Sequence, residues 1–467
     1  MGKESLLVDD YSAQLARYAA GLKLADVPPE VVATAKRVVL DQLGCQIASS
    51  TLPWSLKFRD AIKATGTSGG ATVVYHGDRV SIDNAAFLNS AFGHGNEIDD
   101  ACVRTPSHSG SVIIPAVMAL AEALNAPGEK ALEAVIVGYE VMMRVSYATS
   151  PHLRTQGHHG PPGVGPFGSA AAAAHLLGLD ERQTLNAIAI AGSHAAGLLQ
   201  YTRGGGSVKR IHCGIAAMSG VRSAMMAAKG ITGPPTVLEG EKGFCNVFAG
   251  PESNLPWLVR GLGTEYVMLE TAFKRYSCCF HTHTALEAMD TIVAREHIGP
   301  ADIAKVVVGA SAEGVRHFYH GDGPPREILA AQFSMGYCLA IRLLRNGNGF
   351  WDWREEDLGA PDLVEFADRV ETVTDEIADK ERHDNFGTIV TVTTGDGRTF
   401  VERNRYSKGL PQNPLNQAEF LAKFTDLVVP QLGAGAANRI IDAIESIDTR
   451  DDMAGLIPLL LREPARR

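Results

Sequence analysis

Several features that mark common protein classes are missing from this chain of 467 residues. The first ten residues, MGKESLLVDD, lack the apolar core of a signal peptide, and no apolar run reaches the length of about 18 residues that a membrane-spanning helix requires. The excess of 53 Asp and Glu over 43 Lys and Arg argues against nucleic acid or an anionic membrane as a partner. We therefore expect a cytoplasmic protein that binds neither.

The sequence also lacks the usual marks of metal and nucleotide sites. Its seven cysteines lie without the paired spacings of zinc or iron–sulfur sites. Glycines 204–206 lack the spacing of a nucleotide phosphate loop. His281 and His283 are two residues apart, so on a helix they point in different directions and form a weak metal pair. We therefore expect neither a metal nor an organic cofactor.

What is present, up to about residue 270, is a succession of helical patterns. Pro29 opens a run with apolar residues at helical spacing, and the segment from Glu129 to Ala148 is apolar nearly all round, which predicts a central buried helix. The Ala-rich run from Phe167 to Leu179 allows helices to approach closely, and Asp180 is a candidate cap for the next helix. This part of the chain is expected to be almost entirely helical.

After about residue 272 the pattern changes. Ile303 to Val308 and Thr388 to Thr394 are rich in β-branched residues, and Gly395-Asp396-Gly397 is a turn signal before Phe400. The helical pattern returns near Gln417, so we expect the C-terminal segment to pack on the first helices. The fold class is therefore mainly α, with one domain formed by residues 1–271 and 415–467 and an α+β insert formed by residues 272–414.

Four loops concentrate ionisable residues between apolar helices; they span residues 94–110, 157–160, 204–212 and 273–283. Carboxylates that orient imidazoles, histidines that titrate near neutral pH, and lysines that hold negative charge are the residue types of acid–base chemistry on an anion. Each residue also has an ordinary interpretation. Asp99 and Asp100 suit helix capping equally well, and the three glycines form either a hinge or a carboxylate site before the helix of Lys209 and His212.

At these loops the sequence resembles the MmgE/PrpD family, which includes 2-methylcitrate dehydratase, cis-aconitate decarboxylase and iminodisuccinate epimerase. The matching segments are NSAFGHGNEIDD with SHSG, HHGPPGVGPFGSAAAAAHLLGLD, GGGSVKRIHCGIAA, FKRYSCCFHTHTALEAM and PPREILAAQFSMGYCLA. The resemblance implies a homodimer of subunits in which an inserted lid covers a large helical domain. It also implies an active site between the two parts that needs no metal or organic cofactor.

Carried over by position, the resemblance implies an acidic loop at Glu97, Asp99 and Asp100, two active-site histidines at His108 and His159, and two lysines at Lys209 and Lys274. The predicted catalytic group is Asp99, Asp100, His108, His159, Lys209 and Lys274. The predicted substrate-binding group is Glu97 together with five residues taken from the same four loops, His158, Gly206, Ser207, His212 and Tyr276. The lysines would neutralise developing charge, one of His108 and His159 would take a proton from carbon, and Asp99 or Asp100 would set the imidazole tautomer.

The sequence departs from the family pattern where substrate is bound. The family's D-F-D-D-T has become residues 97–101, EIDDA, which lack the final hydroxyl, and its W-H-P-T-G has become residues 158–162, HHGPP. His108 is followed by Ser109 at a position where the family commonly has proline, and Tyr276 is followed by Ser277 where the family also has proline. The expected acid–base residues are therefore retained, whereas residues expected to contact the substrate differ. For this reason 2-methylcitrate itself is not assigned as the substrate.

These observations favour a cofactor-independent lyase that dehydrates a small hydroxylated di- or tricarboxylate. Epimerisation or isomerisation is the next alternative, and decarboxylation follows it. All three reactions stay open because they can use the same acid–base residues. A metal-dependent lyase is a rival. A noncatalytic helical binding protein is the alternative from a different class, and the ionisable residues in four separate loops count against it.

Overall fold

The computed structural model describes residues 10–66, 69–105, 107–204, 206–318, 323–382 and 385–463. These residues form a mainly α-helical fold, as the sequence predicts. No helix among them is long and apolar enough to cross a membrane.

The described residues of the first part of the chain include twelve α-helices. They are α1 (Tyr11–Gly21), α2 (Pro29–Ser49), α3 (Pro53–Lys63), α4 (Ile82–Gly93), α5 (Ser109–Leu124), α6 (Gly128–Thr149), α7 (His152–Thr155), α8 (Gly160–Leu176), α9 (Glu181–Ala191), α10 (Tyr201–Gly204), α11 (Val208–Ala228) and α12 (Phe244–Ala249). Between α3 and α4 two short antiparallel strands pair, β1 (Ala71–Thr72) and β2 (Arg79–Val80). Asp180 caps α9 through a capping box with Gln183, as predicted.

Helix α8 lies at the centre of this part and packs against α6 and α11. Its small residues allow the close approach. A Cβ on Gly168 would lie 2.5 Å from Cβ of Met142 on α6, and Gly220 of α11 faces Ser169 just as closely, with 2.3 Å to its Cβ. Every residue of α6 from Ala131 to Thr149 is buried, which confirms the central buried helix expected there.

The second part of the chain combines helices with a four-stranded sheet. The helices are α13 (Phe280–Glu296), α14 (Ala312–His317), α15 (Ile328–Gln332), α16 (Met335–Leu344), α17 (Pro361–Ala367) and α18 (Glu376–Glu381), and the strands are β3 (Ile303–Ala310), β4 (Val370–Thr374), β5 (Thr388–Thr394) and β6 (Thr399–Asn404). The strand order is β4-β3-β5-β6, with β3 parallel to β4 and antiparallel to β5. The β5–β6 hairpin is the one that the glycine turn predicts.

The chain ends in two further helices, α19 (Gln417–Leu432) and α20 (Ala434–Glu445), which pack on α2. Their buried residues belong to one hydrophobic core with residues 15–273, to which Phe350 also contributes. A second core contains residues 276–392, including Val306, Val308, Val390 and Val392 of the sheet. A third, small cluster contains Ala101, Val103, Ala272, Phe280 and Leu410, and two of its members, Ala101 and Phe280, line the cleft described next.

Candidate active site

A cleft is lined by residues from both parts of the chain. It encloses about 630 Å³ of empty space, part of it open to solvent. From the first part of the chain it is lined by Glu97, Ala101, Cys102, Ser107, His108, Arg154, His159, Gly160, Leu199, Tyr201 and Lys209, and from the second by Lys274, Cys279, Phe280, His281, His317, Phe333 and Phe386. Five of the twelve site residues predicted from the sequence, Glu97, His108, His159, Lys209 and Lys274, therefore lie on its wall.

Glu97 bridges two buried lysines inside this cleft. Its carboxylate bonds Nζ of Lys209 through Oε1 and lies 3.1 Å from Nζ of Lys274 through Oε2. Burial alone would raise the pKa of Glu97, but the two ammonium groups outweigh burial and hold the pKa far below its usual range. Burial disfavours the charged form of Lys274, yet Glu97 raises its pKa. Two positive charges thus meet one carboxylate, so the group as a whole is cationic.

Asp99 lies behind the cleft and holds two imidazoles. Its Oδ2 is 2.8 Å from Nδ1 of His94 and 3.2 Å from Nδ1 of His108, and it accepts a hydrogen bond from Ser111 at 2.7 Å. Burial would raise the pKa of Asp99, but His108 and His94 outweigh it, so the pKa lies well below its usual range and the group is an anion. Asp99 therefore has the contacts of an imidazole-orienting carboxylate.

These contacts determine the tautomer of His108. Its Nδ1 faces two acceptors, Oδ2 of Asp99 and, at 2.8 Å, the carbonyl oxygen of Asp100. Nδ1 must therefore carry the proton, and Nε2 of the neutral ring keeps a lone pair. His108 lines the cleft at the start of α5, so this ring has the form that accepts a proton.

Asp100 has the capping role that its sequence position left open. Its carboxylate accepts from the backbone N–H of Gly110 at 3.0 Å and from the hydroxyl of Tyr139 at 2.8 Å, so it does not orient a catalytic imidazole. Burial raises its pKa to about 8, and the charges of Asp99 and Asp41 act in the same direction. The structure therefore places the side chain of Asp100 against α5 and Tyr139 and not on the cleft wall.

His159 and His212 face each other. His159 precedes α8 and lies on the cleft wall, whereas His212 lies one turn into α11. Their Nδ1 atoms are 2.9 Å apart. Burial and, to a smaller extent, the charge of Lys209 lower the pKa of His159 well below its usual value and that of His212 to about 4. With both rings neutral, one Nδ1 donates and the other accepts, so the tautomers of the two histidines are coupled.

Four predicted substrate-binding residues do not line the cleft, and neither does a fifth, His212, which reaches it only through His159. Gly206 and Ser207 are exposed, and Ser207 lines a separate groove beside Arg210. His158 packs against the ring of Phe248 at 4.9 Å, since the turn before α8 directs only His159 inward. The structure therefore places these three residues outside the cleft.

Tyr276 is the fourth of these residues. It is buried in the second core, where its ring meets His283 edge-on at 5.2 Å. It lines a groove with Arg275 and Arg342 on another face, so it has no place in the site beside Lys274. Its hydroxyl has no hydrogen-bond partner among the described residues.

The structure adds residues that sequence reasoning did not assign to the site. His94 opens the same loop as Glu97, and its pKa is lowered to about 4 by burial and by Lys209. His281 lines the cleft with its ring stacked on Phe386 at 3.7 Å; the sequence had singled it out only as half of a weak metal pair. Arg154 and His317 also line the cleft but stand in segments without a motif. Of these residues, His94 stands directly after α4, in the loop that the sequence had already singled out.

His94, Asp99 and His108 also meet the distance condition for holding a metal ion, since their ligating atoms lie within 4.8 Å of one another. An ion bound through the facing Nδ1 atoms would have to displace the protons that those atoms share with Asp99. The same three residues thus have two possible uses, and only one leaves the hydrogen bonds to Asp99 in place.

Comparison with known proteins identifies the family. The sequence model of the MmgE/PrpD N-terminal domain matches residues 13–255, and that of the C-terminal domain matches residues 276–449. The chain belongs to the MmgE/PrpD family. This confirms the resemblance seen in the motifs.

Its relatives include enzymes named for two different reactions. Cis-aconitate decarboxylase from Aspergillus terreus is 27% identical over 96% of this chain and 95% of its own length. The human protein of that name is 27% identical over 94% and 92%. A 2-methylcitrate dehydratase from Cupriavidus necator is 26% identical over 81% of this chain and 83% of its own length. Both names denote lyases, which supports an enzyme of that class.

Proposed function

We propose that this protein is a cofactor-independent lyase that acts on a small di- or tricarboxylate by moving a proton at the carbon next to a carboxylate. The observation that carries the proposal is the position of His108, which lines the same cleft as the cationic group of Lys209, Lys274 and Glu97 and whose Nδ1 contacts leave Nε2 with a lone pair. A base and fixed positive charge are what the reaction needs, because proton removal adds charge to a group that is already anionic.

The first candidate reaction is dehydration. A substrate carboxylate binds at Lys209 and Lys274, and Nε2 of His108 takes the proton from the adjacent carbon. The electron pair of that C–H bond forms a double bond as the C–O bond of the neighbouring hydroxyl breaks. His159 supplies the proton that turns the leaving hydroxyl into water, and His212 holds its ring through Nδ1. The products are water and an unsaturated carboxylate.

A second candidate, decarboxylation, is favoured by relatives that align over nearly the whole chain and are named cis-aconitate decarboxylase. Here a C–C bond breaks, carbon dioxide leaves, and the electron pair is finally protonated on carbon by a cleft histidine. The cationic group is needed in this case too, while no hydroxyl leaves. Epimerisation would require the same base and a proton donor on the opposite face of the carbon.

The experiment that tests the proposal is a substrate screen by NMR in D₂O. The purified protein is incubated with citrate, 2-methylcitrate, malate and cis-aconitate. Loss of a hydroxyl with a new vinyl signal identifies dehydration, bicarbonate with a deuterated product identifies decarboxylation, and hydrogen exchange without a new compound identifies epimerisation. If none of these substrates exchanges hydrogen or forms product, the proposal is wrong.

The domain arrangement belongs to the same proposal. We propose that residues 272–414 act as a lid over a helical body formed by residues 1–271 and 415–467, and that the protein is a homodimer. The separate hydrophobic cores and the packing of α19 and α20 on α2 support the first part. The resemblance to the family supports the second. Limited proteolysis and analytical ultracentrifugation test them.

A further inference from the structure

Arg154 lies on the cleft wall and contacts the opposite part of the chain. It belongs to α7, its side chain is 20% exposed, and Nη2 donates to Nδ1 of His317 at 2.7 Å. His317 ends α14 and lines the same cleft. One guanidinium and one imidazole from different parts of the fold thus meet beside the site of the two lysines.

The arginine determines what His317 can do. A guanidinium only donates, so Nδ1 of His317 must be the acceptor and its proton must reside on Nε2. Burial lowers the pKa of His317 well below its usual value, and the charge of Arg154 lowers it further. His317 is therefore a neutral N–H donor, a form suited to binding an oxygen and unsuited to taking a proton.

Arg154 also keeps much of its positive charge available. Its nearest described carboxylate is Glu313, at 3.5 Å from Nη1. The other oxygen of Glu313 is held more closely by Arg382, at 2.5 Å. One carboxylate shared between two arginines leaves a net positive charge. A guanidinium has five N–H donors, and the two described contacts leave others for a ligand.

We propose that Arg154 and His317 form a second carboxylate-binding subsite beside Lys209 and Lys274, so that the substrate must carry at least two carboxylates. The inference rests on the proposed function, because it assumes that the lysines bind the first carboxylate. Arg154 supplies charge and a planar pair of donors, which match a carboxylate in geometry, and Nε2 of His317 supplies a neutral donor. Arg154 lies four residues before residues 158–162, which depart from the family pattern and where a difference in substrate is expected.

The test measures how Arg154 contributes to the discrimination between ligands. Binding of butyrate, glutarate and tricarballylate, which share a three-carbon chain with one, two and three carboxylates, is followed by calorimetry on the wild type and on Arg154→Met. The wild type should bind glutarate about 10- to 100-fold more tightly than butyrate, the usual contribution of a hydrogen bond to a charged group. Arg154→Met should lose most of that ratio. The control Arg382→Met should keep it, since Arg382 also pairs with Glu313 and has similar exposure but lines the adjacent cavity.

The outcomes separate this inference from the proposed function. If the wild type binds none of the three ligands, both fail. If the wild type discriminates and Arg154→Met discriminates equally, the inference alone is wrong. Thermal melting checks folding, and Arg154→Gln replaces the methionine variant if that one unfolds. Nitrogen NMR of His317 in the wild type is an independent measurement: the Nε2–H tautomer is expected, and the Nδ1–H tautomer would overturn the inference.

Discussion

Nδ1 of His159 and Nδ1 of His212 lie 2.9 Å apart, so these two rings share a single proton between them. The pKa of each is lowered by burial and by Lys209. When His212 donates, His159 carries its proton on Nε2 and can give it to a substrate. When His159 donates, its Nε2 is a base. The direction of this one hydrogen bond therefore decides whether His159 acts as an acid or a base.

Replacing His212 should impair catalysis through His159. In His212→Phe the ring of His159 loses its partner and both tautomers become accessible. For this variant we expect kcat to fall about tenfold with little change in KM, because His212 touches no substrate. In His159→Asn, kcat should fall by the larger factor of about 10² to 10⁴ that a direct acid or base contributes. The acid limb of the pH–rate profile should move to higher pH in the His212 variant, because His212 is one of the neighbours that lower the pKa of His159. A profile identical to the wild type would show that His212 only fills space.

His108→Asn should remove the base. We expect turnover to fall about 10²- to 10⁴-fold while the ligand still binds, because Lys209 and Lys274 remain. His175→Asn is the matched control. His175 sits in α8, where it contacts Glu133 at 2.9 Å and the carbonyl oxygen of Ala19 at 2.7 Å, so its loss should lower the melting temperature and leave activity per folded molecule unchanged. Equal turnover in the two variants would contradict the assignment of His108.

Much of this arrangement was readable from residues alone. The β5–β6 hairpin, the capping box of Asp180 and the buried α6 follow from local patterns, and each is where the sequence placed it. The loops of Glu97, His159 and Lys209 also meet as expected. The sequence did not predict the direction in which individual side chains point. Ser207 and Tyr276 lie two residues from Lys209 and Lys274 in the chain, yet packing turns them to other faces than the cleft.

Arg154 and His317 line the cleft although the sequence did not predict them as site residues. Neither stands in a recognisable motif, and nothing local distinguishes them from ordinary charged residues on short helices. Their contact joins positions 163 residues apart, so only the tertiary arrangement of α7 and α14 brings them together. Sequence reasoning finds site residues when a loop concentrates them, and misses those that packing assembles singly.

The buried histidines make stability depend on pH in a predictable direction. The pKa of His94 is about 4 in the folded protein and about 6.5 in an unfolded chain, so between these values the unfolded state binds more protons. The free energy of unfolding should therefore fall as pH drops from about 6.5 to 4, by roughly 3 kcal/mol from this group. Urea titrations across that window should show a shallower dependence for His94→Gln than for the wild type. His297→Asn, at an exposed position with φ of 53°, is the control and should keep the wild-type slope.

Metal removal and metal addition should have different effects. Dialysis against a chelator should leave activity intact, because the proposed proton transfers use only side chains. Excess zinc should inhibit, since an ion bound by His94, Asp99 and His108 would replace the proton on Nδ1 of His108 and disturb the base. Activity that disappears with the chelator and returns with iron or zinc would instead assign these three residues to a metal centre.

Asp100→Asn tests the capping role against a catalytic one. Burial and the charges of Asp99 and Asp41 raise the pKa of Asp100 to about 8, so the folded state binds a proton that the unfolded chain releases near pH 4. This group therefore contributes stability at low pH that is lost as pH rises through about 8. The free energy of unfolding of the wild type minus that of the variant should accordingly decrease from pH 5 to pH 8. Turnover at pH 7 should change little, because an asparagine oxygen can still accept from Gly110 and Tyr139. A fall of 10² or more with unchanged melting would return Asp100 to the catalytic group, since a general acid or base contributes about that factor.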